Sequence, residues 1–390
     1  MQKDRQGIGV YVHIPFCVQK CRYCDFCSSR ENAAAIGRYF DALVAEIRAD
    51  AAAADRRVAS LYVGGGTPSF VDAAQIARVV AALEARYAFS LRDADIEATI
   101  EVNPASAMAD KLAAYRRMGF NRLSVGCQST DDRLLALMGR AHRAADFFAT
   151  VDAAKAAGFE NISADVIFGL PEQHLADVAA TMRDLLVLPL THLSAYSLIV
   201  EPGTVFDRWE REGRLALPPE DEERAMYETV RRMAADAGMA PYEIANFARP
   251  GYASRHNSRY WSFEPYRGYG LGAASFVRPA ALPLGDGDCR RFANTSDLAA
   301  YGLAPGRALA EDHRLFLAEA KGDFMFLGLR RTAGVRDAVF QKLFGASFFE
   351  EYGAAIAGLR RQGLVEVAGD ALRLSRRGYD LANQVFMAFV

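Results

Sequence analysis

The chain has 390 residues, 51% of them hydrophobic and 24% charged, with a formal net charge of −2. This is enough for a large core with a smaller second unit, and the near-neutral balance leaves no electrostatic footprint for nucleic acid. No stretch nears about eighteen consecutive apolar residues, so a membrane span is not expected. Six cysteines are too few for a disulfide framework, and a reducing, cytoplasmic setting is the expectation.

In chain order, the first candidate strand is Gly9–Ile14. It runs into a loop that carries Cys17, Cys21 and Cys24, spaced C-x3-C-x2-C. Thiolates hold iron–sulfur cubanes, and three in place of four leave one iron open to a small molecule. Two other readings compete. Cys24 and Cys27 form a C-x2-C pair, as in zinc or redox sites. Cys21, Cys24 and Cys27 also match the opening of a bacterial ferredoxin run, but the place of its fourth cysteine holds Glu31, followed by Asn32. No second paired-cysteine or His-rich cluster completes a zinc site. Cys127 and Cys289 read as ordinary small buried residues.

Five more candidate strands follow: Ser60–Val63, Ala98–Val102, Arg122–Gly126, Ser163–Phe168 and Leu193–Val200. Helical periodicity separates them at 32–54, 72–87, 108–118, 131–138, 144–157 and 173–186. Such alternation predicts an α/β fold with a parallel sheet, and six units with right-handed crossovers suit a partial (βα)6 barrel.

Each strand end carries an unusual motif. Gly64-Gly65-Gly66-Thr67-Pro68 follows the second strand, Glu101-Val102-Asn103-Pro104 ends the third, and Gly126-Cys127-Gln128 closes the fourth. Asp165 lies in the fifth, ahead of Gly169-Leu170-Pro171, and Tyr196 to Thr204 spans the sixth and its exit. In a βα-barrel these ends converge on one face, where sites are built. The glycines expose backbone carbonyls that can accept from an ammonium group. Glu101 can accept from sugar hydroxyls, or be a plain solvated carboxylate. Gln128, Arg140 and Asp165 are polar groups near the same rim; Arg140 can grip a carboxylate, or simply sit on an exposed helix edge.

The blocks YVHIPFCVQKCRYCDF, GGGTPS, EVNP, GFNRLSVGCQS, MGRAH, DVIFGLPEQ and HLSAYSLIVEPGT resemble the HemN/HemW branch of the radical S-adenosylmethionine (SAM) proteins. So do YEIANFARPGYASRHNSRYW, YGLGAASF and FMFLGLRRTAGV, in order along nearly the whole chain. HemN-type members are oxygen-independent coproporphyrinogen III dehydrogenases; HemW-type members are described as haem chaperones. The resemblance implies a [4Fe–4S] cluster on Cys17, Cys21 and Cys24, with Tyr11, Gly65 and Glu101 around one SAM. It implies that Tyr23, Gly66, Thr67, Gln128, Arg140, Asp165 and Ile199 match contacts to a second SAM in the dehydrogenase. Cys27 would be a spectator thiol, or a transient fourth ligand when SAM is absent.

Two features lean toward the HemW side. Only 16 residues precede Cys17, where the dehydrogenases carry an extension, and Phe26 stands where they have a cysteine. His256-Asn-Ser-Arg-Tyr260-Trp261 resembles the HNxxYW element linked with haem binding, which implies His256 as an axial ligand; alternatively His256 is a loop histidine bonded to backbone, with both aromatics as core anchors. Ala274 occupies a position often held by histidine in the branch.

The organisation expected is a barrel with its extension over 1–280, a connecting segment over 281–308, and a mainly helical, winged-helix-like C-terminal domain over 309–390. Helical faces lie near 314–330 and 349–362, and Leu364–Val367 and Ala371–Ser375 flank a Gly369-Asp370 turn. The resemblance thus implies a haem chaperone delivering haem to acceptor proteins, respiratory ones at the membrane among them, with a flavodoxin-like electron donor. The alternatives are the dehydrogenase, or another radical SAM tetrapyrrole-modifying enzyme or methyltransferase.

Overall fold

The computed structural model describes residues 7–53 and 56–390; residues 1–6 of the expected first domain and residue 54 of the expected first helix lie outside it. Six parallel strands alternate with helices: β1 (Ile8–Ile14), β2 (Val58–Gly65), β3 (Glu97–Val102), β4 (Arg122–Gln128), β5 (Asn161–Phe168) and β6 (His192–Ser197). They pair in that sequence order. The helices are α1 (Ala33–Ala49), α2 (Ala73–Tyr87), α3 (Ala109–Met118), α4 (Asp132–Leu137), α5 (Ala144–Ala156) and α6 (Leu175–Leu186). Their starts follow from capping chemistry: Asn32 accepts from the Ala35 amide, and Asp72 from the Ala74 amide. One core unites strand residues such as Val10, Val12, Leu61, Ile100 and Leu123 with helix residues such as Phe40, Leu43, Val79 and Phe147.

Strand β6 ends three residues earlier than the sequence suggests. Its neighbour β5 turns away at Gly169, whose φ of 72° leaves residues 198–200 with no ladder to join after Leu198 bonds the Phe168 carbonyl. Two further helices follow, α7 (Val205–Arg211) and α8 (Glu220–Asp236). The edges of the six-stranded unit do not meet. Short strands β7 (Ala240–Pro241) and β8 (Asn246–Ala248) cover the β6 edge. After helix α9 (Arg255–Trp261), strand β9 (Tyr266–Tyr269) pairs parallel with β1. Strands β10 (Ala274–Val277), β11 (Arg290–Asn294) and β12 (Leu309–Arg314) continue outward, giving twelve strands in one sheet, with α10 (Leu298–Leu303) between the last two.

Strand β12 is a correction to the helical reading of that stretch. Its sequence, Leu-Ala-Glu-Asp-His-Arg, is polar and largely exposed, so no apolar period announces it; pairing with β11 makes it a strand. Beyond it lie α11 (Leu317–Leu329), β13 (Val335–Arg336), α12 (Asp337–Phe344), α13 (Phe348–Glu351) and α14 (Gly353–Arg361). The hairpin β14 (Val365–Ala368) and β15 (Ala371–Leu374) joins β13 in a three-stranded sheet. A second core forms here from Phe324, Phe340, Phe344 and Phe348, and Phe263 and Phe276 of the barrel side join it. No described helix is long and apolar enough to cross a membrane.

Beside the β9–β1 pairing, a buried carboxylate fastens the extra strands to the barrel. Glu46 of α1, 3% exposed, accepts from the Gly270 amide at 2.9 Å, Tyr301 Oη at 2.6 Å and Asn294 Nδ2 at 2.9 Å. Arg267 lies 3.6 Å away. Removing the carboxylate leaves the buried Gly270 amide and Tyr301 hydroxyl without an acceptor, while Asn294 keeps the Gly270 carbonyl and Arg267 keeps Asp50. We expect Glu46→Ala to lower unfolding stability by about 3 kcal/mol, read by denaturant titration, with Glu46→Gln losing less.

Candidate functional site

Cys17, Cys21 and Cys24 line one cleft of about 360 Å³ at the C-terminal ends of β1 to β6. Tyr23, Gly65, Gly66, Thr67, Glu101, Gln128, Arg140, Asp165 and Ile199 line it too. Nothing regular holds the cysteine loop; its neighbours do. The Cys17 amide bonds the Ser29 carbonyl at 3.0 Å, and the Ser29 amide the Pro15 carbonyl at 2.8 Å. Farther along, the Arg22 amide donates to the Met138 carbonyl at 2.9 Å, and the Phe206 amide to the Arg22 carbonyl at 3.0 Å.

Burial pushes the Cys17 thiol up and the Cys24 thiol to about 11. Both are therefore neutral unless a metal takes the proton's place. Among the described residues no three His, Cys, Asp or Glu side chains converge on a point where a single ion could sit. The three thiols line the cleft together, and thiolates are the ligands that an iron–sulfur cluster takes. Positive charge is already at hand. Arg140 Nη1 lies 3.6 Å from Cys21 Sγ and Nη2 donates to the Gly126 carbonyl at 2.9 Å. Its Nε is buried without a partner, as is Ser28 Oγ in the same cleft. These donors, left unpaired by the protein, fit a bound group that supplies acceptors.

The glycine run is a close-approach device. A Cβ at Gly66 would lie 3.0 Å from Cys17 Sγ and from the Phe16 backbone, while Gly65 has φ 114° and its Cβ would meet the His13 ring at 2.6 Å. The Gly65 amide donates to Glu101 Oε2 at 3.2 Å, and Tyr62 Oη donates to Oε1 at 2.7 Å. Burial raises the Glu101 carboxyl to about 7, against the opposing pull of the Tyr62 bond. Thr67 reaches Cys17 Sγ at 3.4 Å.

Gln128 reaches the cleft through an irregular backbone. The β4–β5 register shifts between Gly126 and Gln128, and Gln128 has φ 69°, a bulge that redirects its side chain. Asp165 accepts from Ser124 Oγ at 3.2 Å, and burial raises its carboxyl above the usual range. Burial also keeps the Tyr23 phenol neutral. Ile199 is 67% exposed at the mouth, with Phe26 at 63%.

Tyr11 and His256 do not line the cleft. Tyr11 Oη bonds His13 Nδ1 at 2.9 Å, and His13 Nε2 bonds the Cys27 carbonyl at 2.7 Å, so this pair braces the far end of the cysteine loop. Cys27 Sγ itself points to the Ser296 carbonyl, 4.0 Å away. His256 sits on helix α9, not in a loop, and is 1% exposed. Its Nδ1 bonds Ser60 Oγ at 2.9 Å and its Nε2 bonds Tyr260 Oη at 2.8 Å. Glu97 accepts from the amides of Arg255 and His256 at 2.9 Å each, capping the helix. Burial lowers the imidazole to about 3. It is a neutral ring with both nitrogens engaged. Cys127 and Cys289 are buried, and Ala274 is exposed at the start of β10.

Several cleft residues have no site role in the sequence reading, although all but Tyr62 fall within its motif blocks: Tyr62, Arg122, Ser124, Ser194 and Asn257. Four of them lie within strands, where the only available signal is alternation toward the barrel interior. Arg122 is 1% exposed with its Nε unpartnered, a cation among Glu101 and Asp165.

Comparison with known proteins now adds to the geometry. Residues 11–185 match the Radical SAM superfamily, and residues 318–381 match the HemN C-terminal domain. Heme chaperone HemW of Bacillus subtilis (strain 168) is 36% identical over 383 residues, spanning 98% of this chain and 99% of the relative. The mouse Radical S-adenosyl methionine domain-containing protein 1, mitochondrial, is 33% identical over 98% of this chain and 87% of its own. Coproporphyrinogen III oxidase (HemN) from Escherichia coli superposes with a TM-score of 0.83 at 25% identity, covering 98% of this chain and 90% of that one. Fold and cysteine loop together define a radical SAM protein, a class that implies a [4Fe–4S] cluster and SAM. Within that class, the chain belongs to the HemW family.

The raised Glu101 carboxyl makes a pH test. A carboxyl titrating at about 7 is mostly protonated at pH about 6 and mostly ionised at pH about 8. If it accepts from ribose hydroxyls, SAM affinity rises over that interval, and calorimetric titration of Glu101→Gln gives a flat, weaker profile. The same sign governs stability: the desolvated charge costs more as pH rises, so Glu101→Gln gains melting temperature over wild type at pH about 8 and not below pH about 5.

Proposed function

We propose that the protein is a haem chaperone that carries a [4Fe–4S] cluster on Cys17, Cys21 and Cys24, binds SAM in the cleft, and passes haem to acceptor proteins. The observation that supports it most is the near full-length match to proteins named heme chaperone HemW, with the expected cluster and SAM residues other than Tyr11 lining one cleft. When bound, the cluster and SAM supply one-electron chemistry at a sulfonium centre. The chain's own residues hold and orient. The Gly65 and Gly66 backbone accepts from the methionyl ammonium and Glu101 from the ribose. Tyr11 acts through His13 on the loop. Arg140 answers a carboxylate and the thiolate of Cys21 at once, and Tyr23, Thr67, Gln128, Asp165 and Ile199 wall the remaining space.

For haem, the reading takes His256 as axial ligand, with Tyr260 and Trp261 beside the macrocycle. His256 would hold the iron through one ring nitrogen, giving up either its Ser60 or its Tyr260 bond and keeping the other, from an imidazole that burial already keeps neutral. Electrons would come from a flavodoxin-like donor, in the cytoplasm, and acceptors would include respiratory haem proteins at the membrane. A second reading, the oxygen-independent dehydrogenase, is favoured by the superposition on HemN.

The test uses one anaerobically reconstituted sample. Stoichiometric haem retained by wild type, with coproporphyrinogen III unchanged, is the expected result; conversion to protoporphyrinogen IX overturns it in favour of the dehydrogenase. His256→Ala should shift the Soret band and weaken haem binding while SAM affinity holds. An unchanged spectrum would remove His256 as ligand and leave the chaperone reading standing.

A further inference from the structure

The residues that follow β6 do more than close a turn. Helix α7 begins at Thr204, whose Oγ1 accepts from the Asp207 amide at 3.1 Å, and it sends Phe206 and Trp209 toward the cysteine loop. Phe206 is fully buried in a small core of its own with Leu134, Leu135, Met138, Ile167 and Leu170. Tyr23 and Trp209 pack against that core's margin. This core lies apart from the main one and beneath Arg22 and Tyr23.

The loop is gripped there from two sides. From α4, the carbonyls of Met138, Leu137 and Gly139 accept from the Arg22 amide at 2.9 Å, Arg22 Nη1 at 2.9 Å and Gln19 Nε2 at 2.8 Å. From α7, the Phe206 amide takes the Arg22 carbonyl. Two guanidinium groups lie over the indole of Trp209, Arg22 at 5.1 Å and Arg214 at 5.4 Å. Stacking of this kind fixes the plane of Arg22 and is worth more where water is partly excluded. One residue before Arg22 is Cys21, and one residue after it is Tyr23; both face the cleft. Two residues beyond Met138 is Arg140, which bonds Cys21.

We propose that Trp209 is a positioning residue for the cluster and its nucleoside ligand, acting through Arg22. The stacking holds the middle of the cysteine loop at a fixed distance from Arg140, so that Cys21, Tyr23 and Arg140 keep one arrangement. The inference rests on the cofactor reading above. The backbone bonds from the Met138 turn fix the main chain of the loop, and the stacking adds a restraint on the Arg22 side chain beside the second thiolate; small displacements at a reacting centre cost binding and rate steeply.

The experiment compares wild type, Trp209→Ala, Trp209→Phe and Arg22→Gln, reconstituted anaerobically, with Val230→Ala in α8 as a remote core truncation. Iron and sulfide content, SAM affinity, and the electron paramagnetic resonance spectrum of the reduced cluster with and without SAM are measured. Trp209→Ala should load iron and sulfide to the wild-type level, bind SAM about tenfold more weakly, and lose the sharp spectral change on SAM addition. Trp209→Phe should keep most of both, and Arg22→Gln should match the alanine variant, deciding the matter if Trp209→Ala does not fold. Unchanged affinity and spectra in folded Trp209→Ala or Arg22→Gln would overturn the proposal, as would the same losses in Val230→Ala. Wild type without a cluster would instead overturn the cofactor reading on which it stands.

Discussion

Three thiols must be held apart at the end of one strand by a loop that has no regular structure of its own. Everything else in the site follows from how that is achieved. Strand β1 delivers Cys17, and the Ser29 and Pro15 backbone bonds close the loop's base. His13 fixes its far end through the Cys27 carbonyl. The middle is tied to the turn after α4, and that turn also presents Arg140 to Cys21 and the Gly126 carbonyl. The ligand loop and the polar wall of the cleft are therefore one mechanical unit. Burial makes the Cys17 and Cys24 thiols poorer acids, so a cluster that takes thiolate ligands must displace their protons as it binds.

The surrounding fold supplies rigidity where the loop cannot. Strands β1 to β6 set the cleft's walls, and their outer edges are occupied by β9 and β8, so neither edge is left open to pair with another chain. Glu46 and Glu97 act as buried fasteners on opposite sides of β1 and β2. The first holds the β9–β11 extension to α1, and the second caps α9. Carboxylates in such places are expensive to bury and pay off only through full hydrogen bonding. Glu101 is different in kind. With only Tyr62 and the Gly65 amide as donors, it keeps acceptor capacity facing the cleft, a capacity that serves a ligand rather than the fold.

Much of this was legible in the sequence, because strands and helices of the barrel carry local periods and because chemistry at strand ends stands out in composition. The cysteines, the glycine run, Glu101, Gln128, Arg140 and Asp165 all come to one cleft. What escaped was non-local. Strand β12 has no apolar alternation and exists through its partner. His256 reads as a loop residue until Glu97, a long way off in sequence, caps the helix it belongs to. Tyr11 belongs behind the cleft wall, since strand alternation gives a side without giving a depth. The Trp209 stacking needs Arg22 and Arg214 brought to one indole by folding, and a lone tryptophan in a polar helix gives no hint of it.

The central claim is that the loop after β1 carries an iron–sulfur cubane on three thiolates and leaves one iron for SAM. Chemical analysis of anaerobically prepared protein for iron and acid-labile sulfide, beside a variant with Cys17, Cys21 and Cys24 all changed to alanine, tests it directly. The account predicts about four of each per chain in wild type and none in the variant. Absence of both from wild type, or their retention in the variant, would contradict it.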